Sequence, residues 1–497
     1  MICLQTPDRY FEEILRQAGL PYSSSPSPDT KIFITSSPFQ VRLGTTPKPA
    51  SDMKSSWVKV KFIAPDETEL FRNVGLVDIN ARCLVPKNAN HGKRNGKGGA
   101  FVYEKGDEII LPFATSQVLR HRGVTIKRFF CQSSRLPWEK VAVDDRGGVR
   151  RILTNSIRHL LIKNNLPYVR LSYVPGSYRS VFGFRVDTDY SSLSDIVKTV
   201  KLAEKIGMRW SWFVATGSWN SRLKELIKIL SEQDIQLHCH KHLVYNDFDR
   251  NMRNFLTGKE LLQKVDVNPI GVASPYGEWN ENLQKVFEEL DFKYSSEFCY
   301  SYDDLPARPI ISAKLSSVLQ IPVHPISLGR LIWANANPKA ILDYYRQVID
   351  LQVARQEPCF LYDHPNWISR YPEIFMEILS YGIQRCGFFT TITDYYRWWR
   401  KREEVRYNVW VVDDGIEITV QNGGEDVYLI IEYQDRMAFI PLTSGKVKFD
   451  KISWQPLSIS MPFNSKEITT RGREWLMRPY YLLSEVMRWR QIRKEMR

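Results

Sequence analysis

The chain has 497 residues, of which 43% are apolar and 25% charged, and 69 Lys+Arg against 55 Asp+Glu give a net charge of +14. These values exclude a disordered or collagen-like chain, and this length buries several cores without disulfides or structural metals. No run reaches about 18 consecutive apolar residues, which excludes a spanning helix legible as a hydrophobic run. The opening residues carry Asp8, Arg9, Glu12 and Glu13 and lack the apolar stretch of a secretory signal. Seven cysteines are scattered without a C-x-x-C pair, so free thiols in a reducing compartment are expected, and with them a cytoplasmic location. The positive charge is dispersed and favours an anionic substrate or an anionic membrane face. Its one short basic run, residues 91–99, lacks the interleaved aromatics of a base-stacking surface, so nucleic acid is not an expected partner.

Taken in chain order, residues 1–150 read as an N-terminal α/β domain. A helical pattern over 8–19 precedes a Pro/Ser-rich loop at 21–29, and strand-like runs follow at 31–35, 57–63 and 108–113. The region bears a faint resemblance to flavodoxin-like or amidotransferase-like α/β domains but has neither a Gly-rich phosphate loop nor a Cys-His pattern. A helix over 150–164 is predicted to bridge into a second domain, 151–404. There, from about residue 180, strand-like and helix-like segments alternate about seven times, which implies parallel strands with crossover helices and suits a (β/α) barrel. Residues 405–465 switch to short β-rich runs split by Asp-Gly and Asn-Gly-Gly turns, the pattern of a small β-sandwich. Residues 466–497 read as a basic helical tail whose apolar side suits either a domain cap or peripheral contact with an anionic membrane surface.

Two clusters carry chemistry. His238, His240 and His242 fall within five residues. On a helical turn His238 and His242 would share a face; on an extended strand all three would. Residues 184–189 (FRVDTD) place Arg185, Asp187 and Asp189 on one face at the end of an apolar strand, costly to bury without partners. A carboxylate and two histidines form a metal-binding triad with open positions, which also leaves an iron oxygenase open at this point.

The order and context of these motifs resemble the polysaccharide deacetylases, carbohydrate esterase family 4, over about residues 180–400. FRVDTD is similar to the family's first motif, and residues 201–214 to the helix-to-strand segment after it. His238 and His242 match its H-x-x-x-H motif, Pro275 and Tyr276 its third motif, and residues 361–365 its final Leu-x-x-His-Pro motif with His364. The resemblance implies an α/β fold with a distorted barrel of deacetylase type. It implies that Asp189, His238 and His242 bind a divalent metal, zinc first, with cobalt, nickel or manganese as alternatives. Asp187 would be the general base, the Tyr276 N–H an oxyanion donor and His364 the general acid. The family's third-motif arginine is missing near Ala273, and Arg185 is expected to take over the partnership with Asp187. The Asp-Trp motif is missing too, leaving Glu297 or Asp303 to tune His364. His324 is a further candidate for substrate contact, and Trp279 and Trp367 for stacking on sugar rings. The implied reaction is hydrolysis of the N-acetyl group of an anionic, nucleotide- or lipid-linked saccharide in surface-polysaccharide biosynthesis. The rival is a non-catalytic carbohydrate-binding or assembly protein on a decayed barrel.

Overall fold

The computed structural model describes residues 2–47, 54–424 and 426–457, with scattered positions between 479 and 490. Its central feature is a seven-stranded parallel sheet. β1 (Phe182–Asp187), β2 (Ser211–Ala215), β3 (Asp234–Cys239), β4 (Gly271–Val272), β5 (Tyr294–Ser295) and β6 (Leu319–Gln320) lie side by side in chain order, and β7 (Cys359–Asp363) returns to the far side of β1. Every residue of β1, β2 and β7 is buried. Strands covered on both faces are expected to be near-continuous apolar runs, and these are, except at Ser211, at Asp363 and where polar residues gather at the end of β1. Gly183 lets β1 and β7 approach: a Cβ there would stand 2.5 Å from the Phe360 ring.

Crossover helices begin where the sequence supplies caps. Ser192 and Asp195 form a reciprocal capping box on α1 (Leu193–Lys205), each side chain accepting the other's backbone N–H. Asn337 caps α2 (Pro338–Arg355), with Pro338 at its first position. No ladder joins β6 to β7. One backbone bond, from the His324 N–H to the Phe360 carbonyl at 2.8 Å, ties the chain just past β6 to β7. The sheet thus curls round and is closed by irregular chain rather than by a regular strand pair.

The N-terminal region departs from the flavodoxin-like expectation. Its nine-stranded sheet pairs antiparallel throughout, except where Ile2–Leu4 lies parallel to both its neighbours. The short hairpin connections made available by Gly, Asn and Pro loops bring successive strands back antiparallel, whereas a parallel sheet needs a crossover at each step. The bridging helix runs Arg146–Lys163, and its Val149, Ile152, Leu153, Ile157 and Leu160 belong to the N-terminal core. A boundary at 150/151 would therefore cut a helix that belongs to the first core.

Residues 405–457 form two small antiparallel sheets interleaved in sequence. One joins Arg406–Val412, Gly415–Asn422 and Gly445–Lys448. The other joins Tyr428–Tyr433, Arg436–Pro441 and Gln455–Pro456 and recruits Tyr168–Leu171 from far upstream. Their apolar residues share a core with β2, β5 and β7, so this unit is not the self-contained 60-residue body expected. The tail of 466–497 lies outside the described residues apart from scattered positions. Among the described residues no helix is long and apolar enough to cross a membrane. All seven cysteines are buried and unpaired.

Candidate metal centre and cleft

The C-terminal end of β1 brings Arg185 and Asp187 onto one face by strand alternation, with Asp189 just beyond. Arg185 holds Asp187 through both oxygens, Nε to Oδ1 at 2.7 Å and Nη2 to Oδ2 at 2.5 Å, and its Nη1 donates to the Ser296 carbonyl. The guanidinium is 1% exposed and lies between the Phe213 and Tyr362 rings. A bidentate pair so enclosed fixes the carboxylate plane as well as its charge. Beside it, Glu297 is wholly buried. Burial pushes its carboxyl up to about 8 against the opposing pull of Ser295 and Arg185, and its Oε1 has no hydrogen-bond partner.

Asp189 is 2% exposed, and its Oδ1 is a buried oxygen without a hydrogen bond. Three imidazoles surround it: His238 Nε2 stands 3.5 Å and His364 Nε2 3.6 Å from Oδ1, and His242 Nε2 3.2 Å from Oδ2. Burial would raise the Asp189 carboxyl, but the His364 charge and the other two histidines hold it far below the usual carboxylate range. His238 Nδ1–H donates to the Ala273 carbonyl at 2.9 Å, which leaves the Nε2 lone pair facing Asp189. Burial pulls this imidazole down to about 4 despite the two aspartates, so it is neutral, the form that binds metals. For His364 burial also lowers the pKa, but the Asp189 carboxylate and Asp363 outweigh it and lift the ring to about 9.

Donor atoms of Asp189, His238 and His242 lie within 4.8 Å of one another, as do those of Asp187, Asp189 and His364. Two imidazoles, a carboxylate with an orphaned oxygen, and a second-sphere carbonyl orienting one ring fit a divalent first-row metal.

The H-x-x-x-H spacing is realised on neither a helix nor a strand. β3 ends at Cys239, and a turn carries His242 back over the strand end. Asn254 locks that turn, accepting the Lys241 N–H at 2.6 Å and donating to the Lys241 and Leu243 carbonyls, each at 2.9 Å. His240 turns away to Thr216 Oγ1 at 3.2 Å. Cys239 is buried and its thiol pushed far up by desolvation, so it stays a packing residue.

The centre opens into a cleft of about 310 Å³ walled by Asp187, His364, Tyr276, Trp367, Tyr190, Phe298 and Trp333, among others. Tyr276 sits in the left-handed region at φ 57°, a conformation unusual for a tyrosine, and its ring packs edge-on to His242 at 4.6 Å. The turn's own hydrogen bonds start from Gly277 and Glu278, not from the Tyr276 N–H. Trp367 comes close to the backbone because residue 329 is glycine: a Cβ there would lie 2.5 Å from the indole nitrogen.

Two expected substrate contacts are not in the cleft. Trp279 is 4% exposed; its indole N–H donates to Gln284 at 2.8 Å and its ring packs on His121 and Tyr300, because the chain dives into the core after the turn. His324 is buried between Asp303 at 2.9 Å and the Tyr344 hydroxyl at 2.9 Å, held by the backbone bond that closes the sheet. Asp303 is thus engaged elsewhere, and Glu297 faces Arg185. The carboxylate nearest His364 Nδ1 is Asp363, 3.7 Å away, itself fixed by the Leu328 N–H at 2.6 Å and the His364 N–H at 2.8 Å.

Sequence reading missed several cleft residues, among them Tyr190, Glu139, Arg330 and Trp333. Tyr190 follows Asp189 directly, and its hydroxyl reaches His242 Nδ1 at 3.1 Å. Its place beside a motif was the only available signal. Glu139, Arg330 and Trp333 had none. Glu139 comes from the N-terminal region and pairs with Arg330 at 2.7 Å across 191 positions, and Trp138 meets Trp333 edge-on. The N-terminal region therefore builds part of the cleft wall.

No family model matches the chain, and no curated protein matches it. Solved structures do. A Mycobacterium smegmatis protein assigned as a polysaccharide deacetylase aligns at 18% identity and TM-score 0.40, over 46% of this chain and 93% of that one. A carbohydrate esterase family 4 pseudoenzyme from Bacillus anthracis aligns at 11% and 0.32, over 45% and 66%. The chitin deacetylase of Colletotrichum lindemuthianum aligns at 9% and 0.32, over 45% and 92%. Likeness at these scores carries nothing about activity; the chemistry stands on the side chains themselves.

Proposed function

We propose that the chain is a divergent carbohydrate esterase of family 4, a metal-dependent amide hydrolase that removes the acetyl group from an N-acetylated sugar. The observation that carries this reading is the buried Asp189 carboxylate, ringed by His238, His242 and His364 and keeping one oxygen without a hydrogen bond. Asp189, His238 and His242 would hold the metal, zinc first, with cobalt, nickel or manganese as alternatives. Bound there, the ion would lower the pKa of a water toward neutrality and polarise the acetamide carbonyl.

The chain's own residues supply the rest. Asp187, fixed by Arg185, accepts the proton of the attacking water. Arg185 thereby does the work that the missing arginine near Ala273 would do. The Tyr276 N–H donates to the oxyanion. His364 gives a proton to the departing amine. Water and amide become acetate and a free amino sugar. Trp367 and Trp333 flank the cleft as stacking surfaces for a sugar ring. The net charge of +14 favours an anionic substrate, a nucleotide- or lipid-linked saccharide of surface-polysaccharide biosynthesis. A cytoplasmic setting, with peripheral membrane contact through the tail, belongs to the same reading.

The test is elemental analysis of the purified protein beside His242→Ala, followed by acetate release from acetylated nucleotide sugars with Asp187→Asn as control. About one metal per chain, lost in the first variant, together with acetate release abolished in the second, supports the reading. Bound metal without hydrolysis of any acetylated sugar favours the non-catalytic rival, which the missing arginine and Asp-Trp motifs motivate. No metal after reconstitution overturns both the site and the activity.

A further inference from the structure

A second polar cavity, about 80 Å³, lies outside the cleft, where the N-terminal region, the barrel and the C-terminal sheet meet. Measured this way, ~10–15 Å³ accommodates one water, so the cavity has room for a tetrahedral oxyanion. Six arginines line it: Arg72, Arg150, Arg151, Arg158, Arg170 and Arg355. The wall holds two carboxylates, Glu357 and Glu432, and two more stand behind it, Asp304 and Glu69.

Those four carboxylates are already taken. Arg150 pairs with Asp304 at 2.8 Å and with Glu357 at 2.7 Å, and Arg151 takes the other oxygen of Glu357 at 2.5 Å. Arg158 bridges Glu432 and Glu69, each at 2.6 Å. Arg170 and Arg355 pair with no carboxylate among the described residues. Arg170 lies flat on the Tyr173 ring at 3.9 Å and donates to the Leu171 carbonyl and the Gln356 side chain. Arg355 donates from Nε to the Asn73 carbonyl at 2.9 Å and weakly from Nη1 to Gln352, and no described residue accepts from its Nη2. Desolvation and the neighbouring Arg151 charge push the half-buried Arg355 down to about 10, against the opposing pull of Glu357, Asp303 and Asp145.

We propose that this cavity is an anion site that takes a phosphoryl group, free or carried on a phosphorylated molecule, through Arg170 and Arg355. Planar guanidinium forks match phosphate oxygens in geometry as well as charge. An anion there would also neutralise the excess charge at the junction of the three regions, so binding and stability are coupled. The site is independent of the metal centre, and its failure would leave the proposed hydrolase untouched.

The experiment is thermal unfolding of the full chain, with calorimetric titration, in orthophosphate, pyrophosphate and glucose-1-phosphate against chloride at matched ionic strength. The expected result is a saturable rise in melting temperature with the phosphoryl anions alone, about one bound per chain. Orthophosphate alone acting points to the free ion; the ester acting more strongly points to a phosphorylated metabolite. In a folded Arg170→Met/Arg355→Met variant the rise should vanish and affinity should fall at least ~tenfold. Should that variant not fold, phenylglyoxal labelling of the wild type mapped by mass spectrometry decides: pyrophosphate must protect Arg170 or Arg355. No rise beyond chloride, an undiminished rise in the folded variant, or unprotected arginines would each overturn the site.

Discussion

The candidate metal centre and the cluster of Glu13, Arg16, Arg308 and Glu403 both carry largely buried charge, yet they differ in how the charge is balanced. In the second, Arg16 bonds both glutamates, Arg308 meets Glu403 at 2.7 Å, and the Arg308 N–H reaches Glu13 at 2.8 Å. Two cations meet two anions, and the network pins the N-terminal helix Arg9–Ala18 to the barrel. At the metal centre Arg185 satisfies Asp187 alone, and Asp189 keeps an oxygen with no hydrogen bond. The arginine-lined cavity is the mirror case, with guanidinium left over. Burial of charge is common to all three; the deficit is what marks a place for a ligand.

The comparison breaks most visibly at Asp187. Asp187→Asn should lower kcat by about 10³-fold, within the range for a lost general base, and leave bound metal unchanged by elemental analysis. Glu403→Ala should do the converse. Removing one member of a balanced buried network should cost about 3 kcal/mol in denaturant unfolding while metal content and turnover persist. Arg185→Met tests whether Asp187 needs its orienting partner: kcat should fall by about 10–100-fold with metal retained, and Arg185→Lys should restore only part, because a lysine cannot bind both oxygens. Unchanged kcat would remove Arg185 from the mechanism. Trp367→Ala should raise KM by about 2–10-fold with kcat nearly constant, the loss of one stacking surface.

The smallest effect concerns Glu297. Its folded pKa, about 8, lies above the usual carboxylate value, so between the two the folded state binds the extra proton. Stability from this group is complete at acid pH and declines as pH rises through about 8. Glu297→Gln should flatten that decline, observed as a melting temperature less sensitive to pH between 5 and 9.

Much of the centre was legible because it depends on local order. Strand alternation put Arg185 and Asp187 together, and the motif positions of Asp189, His238, His242 and His364 all converge. Trp279 misled because an aromatic beside a motif reads the same whether the chain turns outward or into the core. His324 misled in the same way: its Pro neighbour mimics His364, but a barrel-closing backbone bond draws it inside. The flavodoxin-like expectation failed because short apolar runs do not reveal strand direction.

What the sequence by itself determined is the set of groups whose neighbours are near in the chain: the ends of β1, β3 and β7, the capped crossover helices, and the seven unpaired cysteines. Only the tertiary structure decided which distant elements complete the sites. Glu139 reaches Arg330 across the cleft, Tyr168–Leu171 joins a sheet 260 residues downstream, and six arginines from three regions meet around one cavity. Periodicity and motif spacing encode local geometry, whereas the balance of charge in a buried pocket is a sum over contacts that no single segment contains.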